Sequence, residues 1–279
     1  MTVSGKTLNE RLHKSFGDWR RVTVTTNIAA DNKVVSTTLN QYDNARDGVY
    51  VDHWVYIEDK LNTGIERKIQ YYNTANATAR VYGANFTVDA SNASNVWFSR
   101  YPYSDYEQAI KDASMELYPT LHKKVTDKSL ATNSHLYEYP LPSSFDNGDV
   151  YSVAVNTGIG ATSTIRQQLY RYDFGWSITN EGNTLRMSKL FDSGLEVKIE
   201  GIAPIEQATA TTNVNIAEPQ VGLLTAYAKY LMVDRMGYPI SSMDEYPYEK
   251  DAAKAYGEFK RLLPKTRMSI PRPLKMAQI

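Results

Sequence analysis

The side chains best suited to chemistry in this 279-residue chain are four histidines, a few adjacent carboxylates and two glycine-bearing loops. A zinc hydrolase presents ligands at helical spacing, and thiol chemistry needs cysteine. His13, His53, His122 and His135 fall in no His-Glu-x-x-His pattern, and no two of them are four residues apart. Cysteine is absent, which removes disulfides, thiolate metal sites and Cys–His catalysis together. Gly5-Lys6-Thr7 ends like a phosphate-binding loop but lacks that motif's first glycine and a strand leading into it. Gly158-Ile-Gly160 follows a predicted strand, yet Ser163 stands where a dinucleotide fingerprint needs its third glycine, so a β loop is expected. No Gly-x-Ser-x-Gly elbow occurs, and Glu58-Asp59 and Asp244-Glu245 are expected in solvated turns. His53 reads as a hydrogen-bonded structural histidine on a strand. The expectation is a protein with no catalytic residues, no cofactor and no metal.

The remaining chemistry lies in the tail. From Lys260 onward the basic residues are Lys260, Arg261, Lys265, Arg267, Arg272 and Lys275, with no acidic residue among them. Pro264, Pro271 and Pro273 forbid a continuous helix, and Ser-Ile-Pro-Arg-Pro-Leu favours an extended path. Residues 264–279 could reach on the order of 50 Å. Met268, Ile270, Leu274, Met276 and Ile279 interleave apolar groups with the charge, as an arm docking in a groove would use them.

Four helices must position this arm. Thr7-Leu-Asn-Glu10 and Ser104-Asp-Tyr-Glu107 read as capping boxes. The first opens a helix through Phe16 with Leu8, Leu12 and Phe16 on one face; the second opens one with Tyr106, Ile110, Ala113 and Leu117 inward, ended or kinked by Pro119. Pro219 suits a first turn, and Val221, Leu224, Ala228, Leu231, Met232 and Arg235 step along one side until Gly237. A fourth helix spans about 247–263, with Ala252, Ala255, Tyr256, Phe259, Leu262 and Leu263 on one face, and Pro264 is expected to close it. Two stretches between the helices read as β. In the first, Val49, Val51, His53, Val55 and Ile57 alternate with Tyr50, Asp52, Trp54, Tyr56 and Glu58, with turns at Asp47-Gly48, Asn62-Thr-Gly64 and Gly83. In the second, Leu195, Val197 and Ile199 oppose Glu196, Lys198 and Glu200, and Asn147-Gly148, Asn180-Glu-Gly182 and Asp192-Ser-Gly194 read as hairpin turns.

The fold class that follows is α+β: a small helical bundle carrying two antiparallel β modules, with an extended C-terminal arm. The expected segments are a bundle helix in 1–19, a β module in 20–103, a bundle helix in 104–135, a sandwich-like β module in 136–217, two bundle helices in 218–263 and the arm in 264–279. Composition is that of an ordinary globular chain, 42% hydrophobic and 22% charged. Thirty-one Lys and Arg balance 31 Asp and Glu, so net charge argues for neither a nucleic-acid nor a membrane partner. No apolar run approaches the ~18 residues of a spanning segment. The 21 tyrosines suit surfaces buried against partners, and equally a Tyr-rich β protein.

Several motifs in order resemble the head-to-tail connector, or adaptor, proteins of tailed bacteriophages. They are Tyr106-Glu-Gln-Ala-Ile-Lys-Asp-Ala with Tyr118-Pro119, Leu136-Tyr-Glu-Tyr-Pro-Leu-Pro142, Val150-Tyr-Ser-Val-Ala-Val155, Gly194-Leu-Glu-Val-Lys-Ile199, the Pro219 helix and the basic tail. The resemblance covers roughly residues 104–279. Gly48-Val-Tyr-Val-Asp-His-Trp-Val and Trp97-Phe-Ser-Arg-Tyr-Pro look like modules of phage virion proteins generally. The resemblance implies a virion-neck protein, made in the host cytoplasm, that forms a ring of commonly twelve copies below the portal. Its partners would be itself, the portal protein and tail or neck proteins, with double-stranded DNA passing through the channel without sequence-specific binding and no membrane contact. The portal-binding arm would comprise Arg267, Met268, Ile270, Pro271, Arg272, Pro273, Leu274, Lys275 and Met276. Two alternatives are a tail-completion or baseplate protein and a carbohydrate-binding or lytic virion component; tryptophans Trp54, Trp97 or Trp176 aligned on one β face would favour the last.

Overall fold

The computed structural model describes residues 2–17, 20–24, 28, 31–41, 46–88, 94–145, 149–157, 170–179, 183–205, 213–216, 218–238, 248–266 and 268. In chain order the elements are β1 (Thr2–Ser4), α1 (Gly5–Phe16), β2 (Arg20–Thr23), β3 (Lys33–Val35), β4 (Trp54–Ile57), β5 (Glu66–Asn73), β6 (Thr78–Val81), β7 (Asn95–Ser99) and α2 (Tyr103–Glu116). Then follow β8 (Lys123–Ala131), β9 (Glu138–Pro140), β10 (Asp149–Asn156), β11 (Tyr170–Arg171), β12 (Trp176–Thr179), β13 (Thr184–Met187), β14 (Glu196–Ala203), β15 (Asn213–Asn215), α3 (Glu218–Asp234) and α4 (Tyr248–Thr266). The chain is α+β.

The four helices share one buried cluster. Leu8, Leu12 and Phe16 of α1, Tyr106, Ile110 and Ala113 of α2, Val221, Leu224, Ala228, Leu231 and Met232 of α3, and Ala252 and Phe259 of α4 meet there. α3 packs on each of the other three. Pro219 lies in its first turn and Gly237 follows its end at φ +70°, as the sequence implies. α4 differs from expectation by running through Pro264 to Thr266. Proline removes one N–H bond to the preceding turn and crowds the carbonyl four residues back, but just two helical residues follow it. The Thr266 hydroxyl donates to the Leu262 carbonyl at 2.9 Å.

Both predicted capping boxes are corrected. α1 is capped three residues earlier, by Ser4, whose Oγ accepts from the Thr7 N–H at 3.2 Å. Glu10 instead pairs with Lys14 one turn on, at 2.6 Å. α2 has no cap from its own sequence. The Glu66 carboxylate of β5 takes that place, accepting from the Tyr103 N–H, from the Ser104 N–H at 3.4 Å and from the Ser104 hydroxyl at 2.8 Å. α2 also ends at Glu116, and Lys123–Ala131, within the segment expected to hold a bundle helix, form β8.

The first β stretch forms a six-stranded antiparallel sheet ordered β2-β7-β4-β5-β6-β3. Its inner face gathers Val22, Val34, Val55, Ile57, Ile69, Tyr72, Val81 and Phe98 into a second cluster. Gly48, Gly64 and Gly83 all have positive φ, as the turn signals require. The alternation predicted through 49–57 holds only in β4: residues 47–52 turn, Asp52 has φ +69°, Tyr50 is buried and Val51 exposed.

The second stretch forms a four-stranded sheet, β11-β10-β14-β8, and a three-stranded sheet, β12-β13-β9. Val153, Val155, Val197 and Ile199 of the larger meet Tyr139, Leu185 and Met187 of the smaller in a third cluster. Asp192-Ser-Gly194 is a turn with Gly194 at φ +86°, but it joins strands of different sheets and is no hairpin. Asn180 to Gly182 and Asn147-Gly148 lie outside the described residues, although Thr179 and Thr184 pair as a hairpin requires. A small pair, β1-β15, sets Val3 opposite Val214 beside the helices. In each β stretch the first and last strands are neighbours, with Arg20 opposite Phe98 and Lys123 opposite Ala203.

Candidate functional site

Among the nine residues predicted to form the arm's contact surface, only Met268 lies within the described residues. Arg267, Ile270, Pro271, Arg272, Pro273, Leu274, Lys275 and Met276 lie outside them. The Met268 side chain packs on the helical cluster, and its N–H donates to the Thr120 carbonyl at 3.3 Å. The predicted arm is therefore tied near its start to the loop that follows α2.

Where α3 and α4 pair they carry a row of rings. Tyr227 stands 4.7 Å from Phe259, Tyr230 stands 5.0 Å from Tyr256, and the Lys260 ammonium lies 4.5 Å above the Tyr256 ring. The Tyr227 hydroxyl donates to Glu116 Oε2 at 2.7 Å, and Arg235 reaches the same carboxylate in a two-point pair, with Nη2 to Oε2 at 3.0 Å. Burial opposes the Glu116 charge, but the Arg235 and Tyr227 bonds outweigh it and hold this carboxyl below its ordinary range. Burial and the adjacent Glu116 push the Tyr227 phenol up to about 12. Glu116, Tyr227 and Arg235 thereby lock α2 to α3 at the end nearest the arm.

A second polar knot lies between the six-stranded sheet and the helices. Glu58, expected in a solvated turn, accepts from Lys6, from Arg21 Nε at 2.7 Å and from the Trp97 indole N–H at 2.7 Å. Burial raises the Glu58 carboxyl, while these donors lower it further, to a net value below the ordinary one. Trp97 is fully buried there against His13, their ring centres 5.2 Å apart. His13 also stacks on Tyr106 at 3.5 Å, and neither of its nitrogens has a hydrogen-bond partner among the described residues. Burial holds its pKa well below the ordinary value, so the ring is neutral. Asn9, one turn earlier, donates to the Tyr103 hydroxyl at 3.3 Å, and its Oδ1 has no partner among the described residues.

The other histidines are dispersed. His53 precedes β4, with Nδ1 3.3 Å from the Val51 carbonyl, so it is hydrogen-bonded as expected but off the strand. His122 is buried after α2, with Nδ1 2.9 Å from the Pro119 carbonyl, and His135 is exposed. Among the described residues no group of three or more potential metal ligands lies together, and no helix is long and apolar enough to cross a membrane. Gly5-Lys6-Thr7 forms the first turn of α1, with Lys6 spent on Glu58. Gly158-Ile-Gly160 and Asp244-Glu245 lie outside the described residues. The tryptophans do not align: Trp97 is buried, whereas Trp54 and Trp176 are half-buried on different sheets. A shallow cavity of about 280 Å³ beside Trp176, lined also by Arg186 and Ser188, is therefore served by one ring.

Sequence reasoning missed Glu66 and Tyr227 and misplaced Glu58, whose roles depend on partners 37 or more residues away. No protein-family model matches the chain, and no curated protein matches it.

Proposed function

We propose that this chain is a structural protein of the tailed-phage neck, an adaptor that forms a ring below the portal and joins it to the tail. In this reading the four helices act as one bundle, the two β stretches are modules borne by it, and the arm from Arg267 onward contacts the portal. DNA passes through the ring without sequence-specific binding. The observation that supports the reading best is the fixed root of the arm, with Met268 seated on the helical cluster and bonded to Thr120. An arm tethered at a rigid point loses less freedom on docking, and a ring presents many such arms at once. Truncation after Met268 tests this. The expected result is a melting temperature nearly unchanged and loss of co-sedimentation with portal rings. A truncated chain that still attaches refutes the arm's role.

A further inference from the structure

The helices cover only part of the outer face of the six-stranded sheet. Val55, Ile57, Ile69 and Val81 point into the sheet's own core, so their neighbours along each strand point the other way. On that outer face the row Trp97, Tyr56 and Glu66 lies under the helices, with Tyr56 stacked on Tyr103 of α2 at 3.9 Å. The next two rows reach solvent. In one, Trp54 stands opposite Lys68, and the Tyr82 N–H donates to the Lys68 carbonyl at 2.9 Å, which sets Tyr82 on the far side of Lys68. In the other, Tyr71, Arg80 and Lys33 lie side by side across β5, β6 and β3. Tyr82 is 54% exposed and Tyr71 44%. Trp54 therefore does share a face with other rings, but they are tyrosines.

The charges on these rows are matched locally. Lys68 pairs with Asp52 at 2.8 Å and Lys33 with Asp31 at 3.4 Å, while Arg80 makes no ion pair among the described residues. The Asp47 carboxylate accepts from the Thr74 N–H and hydroxyl, both at 2.8 Å, and from the Tyr71 hydroxyl, which holds the Tyr71 ring in place. A polyanion draws its affinity from unmatched cations, and a protein partner from a contiguous apolar centre. These rows present neither. They present three amphipathic rings among paired charges that can donate and accept, with Trp54 and Tyr82 two strand spacings, or about 10 Å, apart. Pyranose rings match that pattern, with apolar C–H faces that stack on aromatic rings and hydroxyls around the rim. An open sheet face suits a chain of sugars laid across the strands better than a single small molecule, which needs a concave site.

We propose that the open rows on β4, β5, β6 and β3 bind a neutral oligosaccharide. Trp54, Tyr82 and Tyr71 are the stacking surfaces, and Arg80, Lys68 and Asp52 bond its hydroxyls. This site is independent of the ring and of the arm.

Isothermal titration of the full chain with chitohexaose, cellohexaose and maltohexaose tests it. At least one should bind, with an affinity that hardly changes between low and moderate salt, because no net charge is neutralised. Tyr82→Ala and Tyr71→Ala, both at exposed positions, should each weaken that binding roughly tenfold and leave the melting temperature nearly unchanged. Tyr137→Ala, at a comparably exposed tyrosine in the second β stretch, should leave the binding as it is. Silence from all three sugars, an equal loss with Tyr137→Ala, or binding that survives removal of Tyr82 and Tyr71 overturns the site. So does tighter, salt-sensitive binding of single-stranded poly(dT), which would make the face a nucleic-acid surface.

Discussion

Glu66 offers the sharpest quantitative test of how the first sheet and the helices are joined. Its carboxylate takes the place of the missing cap of α2, receiving two backbone N–H groups and the Ser104 hydroxyl. Replacing it with alanine removes a cap worth about 1–2 kcal/mol. It also strands a partly buried N–H at about 1–3 kcal/mol. Because the two terms overlap, the expected loss is about 2–3 kcal/mol. At roughly 2–4 °C per kcal/mol for a chain of this size, the melting temperature should fall about 5–10 °C. Burial raises the Glu66 pKa despite these bonds, with Asp105 adding to the rise. The folded state therefore favours the protonated form more than the unfolded state does. That share of stability is fully present below the unfolded value and is lost as pH rises through the folded one. Glu66→Gln keeps an acceptor without the charge and should cost about 1 kcal/mol or less at neutral pH. The wild type should gain on it as pH falls. Thermal melts of the three proteins between pH 4 and pH 7.5 decide the matter. If alanine costs less than about 0.5 kcal/mol, as at an ordinary surface site, or if glutamine is as damaging as alanine, the capping account is wrong.

Two further outcomes follow from buried groups. His13 is neutral in the fold because burial depresses its pKa below 6.5, so stability is present above that value and is lost as pH falls through the folded one. His13→Phe, which cannot titrate, should flatten the fall in unfolding free energy between pH 7.5 and pH 5; parallel profiles would refute the assignment. At Gly201 an added Cβ would press on the Asp149 carbonyl and lie 2.6 Å from Phe145 Cε1. Gly201→Ala should therefore cost about 2–3 kcal/mol in a urea titration, and an unchanged midpoint would contradict the packing described.

The features legible in the sequence are those decided locally. α3 shows a proline start, a glycine stop and a continuous apolar face, and β14 shows clean alternation because one of its faces is buried. What escaped was decided at a distance. β8 reads Lys-Lys-Val-Thr-Asp-Lys-Ser-Leu-Ala, and as an edge strand it buries no side chain fully. A bulge breaks its register after Asp127, so no apolar period survives to be read. β1 and β15 have three residues each, too few for any pattern. Ser104 and Glu107 have the spacing of a capping box, but Glu66 reaches the helix end first. Of the nine residues expected to contact a portal, the sequence pattern alone speaks for all but Met268, whose anchoring to Thr120 no local rule could indicate.

The pairing of first and last strands in each β stretch has a consequence for how such a chain changes length. Because Arg20 lies opposite Phe98 and Lys123 opposite Ala203, each excursion leaves and rejoins the helices through two adjacent strands. Closing that loop is already accomplished at its base, and the entropy of a longer or shorter excursion varies only slowly with its length. Strands can therefore be gained or lost beyond the base pair while the spacing from α1 to α2 and from α2 to α3 stays fixed. The helices set the spacing, and either sheet can change in size without moving them.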